Sequence, residues 1–129
     1  MNKSKYLPVV FLSMLLLATG CAREKKPLSQ DEYQVTVVNR SEAPVHEISY
    51  ETQGSGGGGI NADGSMIAYD DSLTFDFQSI GGSALWSVLD EERKILASQR
   101  VPFSFDEENS MMLYILPDGN GIKLQAEKP

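Results

Sequence analysis

Along most of the chain, apolar residues recur at every second position. Leu73, Phe75 and Phe77 alternate with Thr74, Asp76 and Gln78, and Val101, Phe103 and Phe105 alternate with Pro102, Ser104 and Asp106. Successive side chains of a strand point to opposite faces, so each pattern predicts a strand with one wet face. Ile122 and Leu124 against Lys123 and Gln125 repeat it near the C-terminus. The stretch 33–39 is rich in β-branched residues, and 45–51 and 84–90 are further strand candidates. Residues 111–116 are apolar at both parities, which predicts a central strand rather than an edge.

The turn signals agree. Pro117-Asp118-Gly119-Asn120-Gly121 separates two apolar runs and predicts a hairpin over 111–125. Asp90-Glu91-Glu92-Arg93-Lys94 turns the strand containing Trp86 back into Ile95-Leu96-Ala97, and Asn39 to Pro44 is expected to do the same near the start. Only 90–98 has any claim to be a helix, and it is too short and too weakly capped. About seven to eight short strands with frequent turns predict an all-β chain, a single β-sandwich with a small closed β-barrel as the alternative. Trp86, flanked by Leu85 and Val88, is expected to anchor the core.

Upstream of the strands the pattern changes. Lys3 and Lys5 precede an apolar run from Tyr6 to Ala18, which closes on Thr19, Gly20 and the sole cysteine, Cys21. A basic start, an apolar run short for a bilayer span and small residues before a cut describe an export signal. With a cysteine directly after the cut, residues 1–22 resemble the signal of bacterial lipoproteins. The motif reads Ala18-Thr19-Gly20-Cys21, with alanine where that family most often has leucine. The resemblance implies cleavage between Gly20 and Cys21, a diacylglycerol joined to the Cys21 thiol, and acylation of the new amine by a chain such as palmitate. Each buried methylene contributes about 0.8 kcal/mol, so two or three acyl chains would hold the protein to a membrane without a transmembrane helix.

This divides the chain into a cleaved signal at 1–20, a lipidated flexible tether at 21–32 and a β-sandwich domain at 33–127. The tether holds Arg23, Glu24, Lys25, Lys26, Pro27, Ser29, Gln30 and Asp31, a polar set with little to bury. Ten extended residues reach about 35 Å. Arg23, Lys25 and Lys26 are placed where anionic headgroups would be. In the lipoprotein family aspartate after the cysteine retains the protein at the inner membrane, and here that residue is Ala22. The resemblance therefore implies the periplasmic leaflet of the outer membrane in a Gram-negative cell, or the outer face of the plasma membrane in a Gram-positive one.

One cysteine excludes an internal disulfide, so the domain must be stabilised by its core. The formal charge is −7, and removing Lys3 and Lys5 with the signal takes it to −9. That balance disfavours nucleic acid and suits either plain solubility or a basic partner.

The order Val35-Thr36-Val37-Val38-Asn39-Arg40-Ser41, then Val45-His46-Glu47-Ile48-Ser49-Tyr50, then a glycine-containing turn and Asp63-Gly64-Ser65, resembles the small immunoglobulin-like domains of bacterial envelope lipoproteins. The resemblance implies a fold and a location, and no single activity.

Candidate chemistry is sparse. His46 is the sole histidine, and its neighbours Glu47 and Ser49 point to the opposite face of a strand, which does not build a triad. With Cys21 lipidated, no histidine–cysteine zinc site is expected. Asp70-Asp71 and Asp106-Glu107-Glu108 are the densest carboxylates and read as solvated loop charge. Asn61-Ala62-Asp63-Gly64 begins like part of a calcium loop but lacks the closing glutamate. The run Gly54-Ser55-Gly56-Gly57-Gly58-Gly59 is followed by no lysine, so a phosphate-binding loop is not expected. It reads as a mobile loop, and Gly56, Gly57, Gly58, Asn61 and Asp63 form a candidate contact loop for a partner. Asn39-Arg40-Ser41 spells a glycosylation acceptor but is expected to be a turn. No catalytic residue, metal or cofactor is predicted. The expectation is a noncatalytic, membrane-anchored lipoprotein that binds a protein or envelope component; the alternative is a small acidic inhibitor of a secreted or host enzyme such as lysozyme.

Overall fold

The computed structural model describes residues 32–78 and 81–127. Gly20 and Cys21, the signal, and the tether before Glu32 lie outside the described residues. Among the described residues eight strands form: β1 (Tyr33–Asn39), β2 (Glu47–Thr52), β3 (Ser55–Gly59), β4 (Ser72–Phe77), β5 (Ser83–Leu89), β6 (Ile95–Pro102), β7 (Ser110–Asp118) and β8 (Gly121–Ala126). No described residue is helical.

The strands make two four-stranded sheets, in the orders β4-β1-β7-β8 and β3-β2-β5-β6. The two sheets do not close into a barrel, so the chain is a β-sandwich. The order, which composition and periodicity leave open, puts the first strand in the middle of its sheet. There β1 pairs antiparallel with β4 and parallel with β7. Many domains share the sandwich architecture without the strand order of antibody domains, and this is one more arrangement.

Inward positions follow the period of two. On one sheet the rows Phe75–Val35–Met111 and Leu73–Val37–Leu113–Ala126 face the core; on the other, Ile48 pairs with Val88 and Tyr50 with Trp86. Trp86 is fully buried, with ring centroids 5.4 Å from Tyr50 and 5.3 Å from Phe75. It is the core anchor its apolar neighbours predict. Its indole Nε1 is buried without a hydrogen-bond partner among the described residues. Such an orphan donor costs about 1–3 kcal/mol, which the burial of the large ring must exceed.

The expected hairpin over 111–125 forms with Asp118 opposite Gly121, leaving Gly119 and Asn120 as a two-residue loop. Gly119 has φ +59°, as the first central position of a type II′ turn requires. β7 lies between β1 and β8, the central position its two-faced apolarity predicts.

Two segments differ from expectation. Val101 and Pro102 end β6, whereas Phe103 and Phe105 lie beyond it. Those two rings stack at 5.7 Å and join Phe77 to Tyr33, so their alternation serves an aromatic cluster rather than a ladder. The segment from Asn39 to Pro44 does not return β1 as a hairpin; it carries the chain into the other sheet.

One turn is used twice. Asp90-Glu91-Glu92-Arg93-Lys94 and Asp106-Glu107-Glu108-Asn109-Ser110 share their first three residues and their geometry. Asp90 Oδ1 accepts from the N–H groups of Glu92 (3.0 Å) and Lys94 (2.9 Å). Asp106 Oδ1 accepts from Glu108 and Ser110, each at 2.9 Å. The fourth residue is left-handed in both, φ +63° at Arg93 and +60° at Asn109. Asparagine tolerates that region and arginine does so at a cost.

Candidate functional site

The glycine run is not a loop. Ser55 to Gly59 form β3, an edge strand paired antiparallel with β2. Glycine is a poor strand former because it loses more backbone entropy than any other residue and has no side chain to pack. The partner strand offsets this. Tyr50 lies opposite Gly57, and a Cβ built on Gly57 would stand 2.8 Å from the Tyr50 hydroxyl oxygen and 2.9 Å from its Cζ. The tyrosine ring therefore occupies the space a side chain would need, which covers the glycine backbone as aromatic residues do across strands. Gly59 faces the opposite sheet, where a Cβ would come within 3.3 Å of Leu73 Cδ1 and Phe75 Cε1. Gly54, at φ +84°, turns the β2–β3 hairpin, and Thr52 and Ser55 latch it through hydroxyls 2.8 Å apart.

Asn61 and Asp63 sit just past β3 and are spent locally. Asn61 Nδ2 donates to the carbonyl of Met66 at 2.9 Å. Asp63 Oδ1 accepts from the Ser65 hydroxyl at 2.6 Å and from its N–H at 3.0 Å. These bonds, the hydroxyl first, hold the Asp63 carboxyl below its ordinary pKa. Gly56, Gly57, Gly58, Asn61 and Asp63 are thus brought together, the first three as a strand edge and the last two as the frame of the next turn.

Other singled-out residues have structural employment. Asn39 is buried: its Nδ2 donates to the Ile67 carbonyl at 2.7 Å, and its Oδ1 accepts from the Ser41 N–H at 3.0 Å and hydroxyl at 2.7 Å. A side chain so enclosed is a tie between β1 and the segment before β4, not a glycan acceptor. His46 stands one residue before β2 and its main-chain N–H donates to Leu89. Asp71 Oδ2 accepts from the Ala68 N–H at 3.1 Å. Among the described residues no group of three or more metal-ligating side chains gathers, and no helix is long and apolar enough to cross a membrane.

A second surface escaped the sequence reading. The Arg40 guanidinium lies 5.5 Å from the Tyr114 ring centroid and 2.6 Å from Asp70 Oδ1, with exposed Tyr69 nearby in a shallow hollow that includes Leu116. Tyrosine and arginine are the residue types that dominate interfaces. The only sequence signal was an aromatic beside two aspartates, which no periodicity distinguishes.

Charge is divided unevenly. Between Arg40 and Arg93 the chain carries Glu42, Glu47, Glu51, Asp63, Asp70, Asp71, Asp76, Asp90, Glu91 and Glu92, and no lysine or arginine. That span contains β2, β3, β4 and β5.

Neither a protein-family model nor a curated protein sequence matches the chain. An NMR structure of a protein from Eubacterium rectale is similar, with a TM-score of 0.55 and 10% identity over 81% of this chain and 97% of that one. At that identity the likeness shows the fold alone.

Proposed function

We propose that the protein is a lipid-anchored extracytoplasmic lipoprotein whose β-sandwich binds a protein or cell-envelope component without catalysing a reaction. The observation that carries the reading is Cys21, the sole cysteine, placed directly after Ala18-Thr19-Gly20 and a basic-then-apolar start. Acyl chains on Cys21 hold the protein to the membrane, and a polar stretch separates the anchor from β1. The domain lies in the periplasm or outside the plasma membrane according to the envelope type. In support of a binding role, Asn39, Asn61, Asp63, Asp71, Asp90 and Asp106 are engaged in turns and ties, while a strand edge uncovered by any described residue and an arginine–tyrosine surface remain available. The acidic span from 41 to 92 suits a basic partner, and a basic secreted enzyme such as lysozyme is a second reading on the same ground.

Mass spectrometry of the native protein tests the anchor: the expected N-terminus is Cys21 carrying a diacylglyceryl group. An unmodified thiol on that residue would refute it. Co-purification from mild detergent, with the soluble Cys21→Ala chain as control, is expected to recover a reproducible partner. Lysozyme rates unchanged by excess protein would remove the main example of the second reading.

A further inference from the structure

Of the four edge strands, β6 and β8 lie against each other, with Gln99 Oε1 accepting from the Leu124 N–H at 3.3 Å. β4 carries Asp76 within its span. β3 has no charged residue, no proline and no register shift. Charges, prolines and bulges are the devices that keep an edge from pairing. The Gln53-Gly54 loop closes on the pair Thr52–Ser55, so alternation along the ladder turns the N–H and C=O of Gly57 and Gly59 toward β2. Those of Gly56 and Gly58 point to the open side.

We infer that the open edge of β3 receives an extended, basic segment of a partner protein, with bulky apolar residues at alternate positions, as an added strand. The inference rests on the binding role proposed above and names its mode. Main-chain groups of Gly56 and Gly58 supply the hydrogen bonds. The glycines contribute no inward side chains, so those of the incoming strand lie beside Tyr50, Leu73 and Phe75, the groups that a Cβ at Gly57 or Gly59 would meet. Exposed Ile60 and Met66 extend this apolar contact past the end of β3.

Charge selects the occupant. Within the acidic span, Arg40 pairs with Asp70 and Arg93 with Glu47, both arginines coming from its borders. Glu51, directly opposite Gly56, and Asp63 and Asp76 have no cationic partner among the described residues. A lysine-bearing strand meets this negative charge, which the neutral Ser65 donors bonded to Asp63 do not cancel. A second copy of β3 would bring the same carboxylates and no side chains to bury.

The test uses the lipidated protein in mild detergent and the peptide acetyl-Lys-Val-Lys-Phe-Thr-Val-Lys-amide as probe, with amide exchange of Gly56 and Gly58 followed by NMR. Saturable binding is expected, with exchange at those two amides slowed about tenfold or more. The same peptide N-methylated at alternate amides, or with glutamate for lysine, is expected to bind about tenfold more weakly or worse. Gly58→Pro removes the outward N–H and is expected to abolish binding; the N-methylated peptide asks the same question with the protein unchanged. Unchanged exchange at about 1 mM probe, or equal binding by the N-methylated peptide, would overturn the inference. So would slow exchange at Gly56 and Gly58 in a dimer before any peptide is added. Recovery of the native partner by wild type and a folded Gly58→Pro alike would overturn the edge as its site while leaving the binding role intact.

Discussion

The two long sides of the sandwich end in opposite ways. On one side β6 and β8 lie edge to edge and Gln99 bridges the sheets to Leu124; on the other, β3 and β4 stop without a partner among the described residues. A single inward row of one sheet spans the distance, Gly57–Tyr50–Trp86–Gln99. At its closed end a side chain reaches the neighbouring sheet, and at its open end there is no side chain at all. Closure here is a matter of which residue stands at the rim, not of strand number or length. The side that gives up side chains gives up stability and keeps its hydrogen-bonding groups free.

If that contrast is right, substitutions should divide by side. Leu124→Ala, beside the closed seam and buried, is expected to cost about 2–5 kcal/mol by urea unfolding, whereas Gly58→Ala on the open side should cost under about 1 kcal/mol. Equal losses would break the comparison. Asn39→Ala is expected to cost about 2–4 kcal/mol, because the Ile67 carbonyl and the Ser41 N–H lose their partner in a buried place. Since Asn39 belongs to neither long side, its loss should leave exchange at Gly56 and Gly58 unchanged.

Tyr50→Leu sharpens the open end. It removes ring contacts to Phe75, Phe77 and Trp86 and uncovers Gly57, for an expected cost of about 1–2 kcal/mol and faster amide exchange through β3. Arg93→Gly should change stability by under about 1 kcal/mol, since relief of a left-handed arginine is offset by losing the 3.3 Å partner of a Glu47 oxygen that is buried without any hydrogen bond. Thermal unfolding would show the sign.

The smallest effect concerns pH. A carboxyl whose folded pKa is depressed stabilises above its unfolded value, and the gain is lost as pH falls through the folded value. Asp63 is such a group, so exchange in the 61–66 turn should accelerate only in acid below the ordinary aspartate range, with the seam at Leu124 unaffected.

The strands were legible where two signals coincided. Residues 111–116 had apolarity at both parities and a turn after them, and both the central position and the hairpin followed. The glycine run was illegible because its conformation is imposed from outside. Nothing within Ser55 to Gly59 favours a strand, and the ring that steadies it belongs to Tyr50 on β2. Phe103 and Phe105 kept a strand's alternation after leaving the ladder, because packing on Phe77 and Tyr33 asks for the same spacing. The buried tie at Asn39 resembled an ordinary polar turn, since burial of a polar side chain depends on where distant Ile67 lies. Of the candidate site, the residues were visible and their form was not: a contact loop was expected, and a strand edge stands in its place.

The most direct measurement is residue-resolved amide exchange on the free protein. Gly56 and Gly58 are expected to exchange nearly as fast as an unprotected chain, while Leu124, bonded to Gln99, is protected and Leu113 on central β7 exchanges only with global unfolding. Equal protection at all four would mean that the β3 edge is covered, and the distinction between an open and a closed side would be wrong.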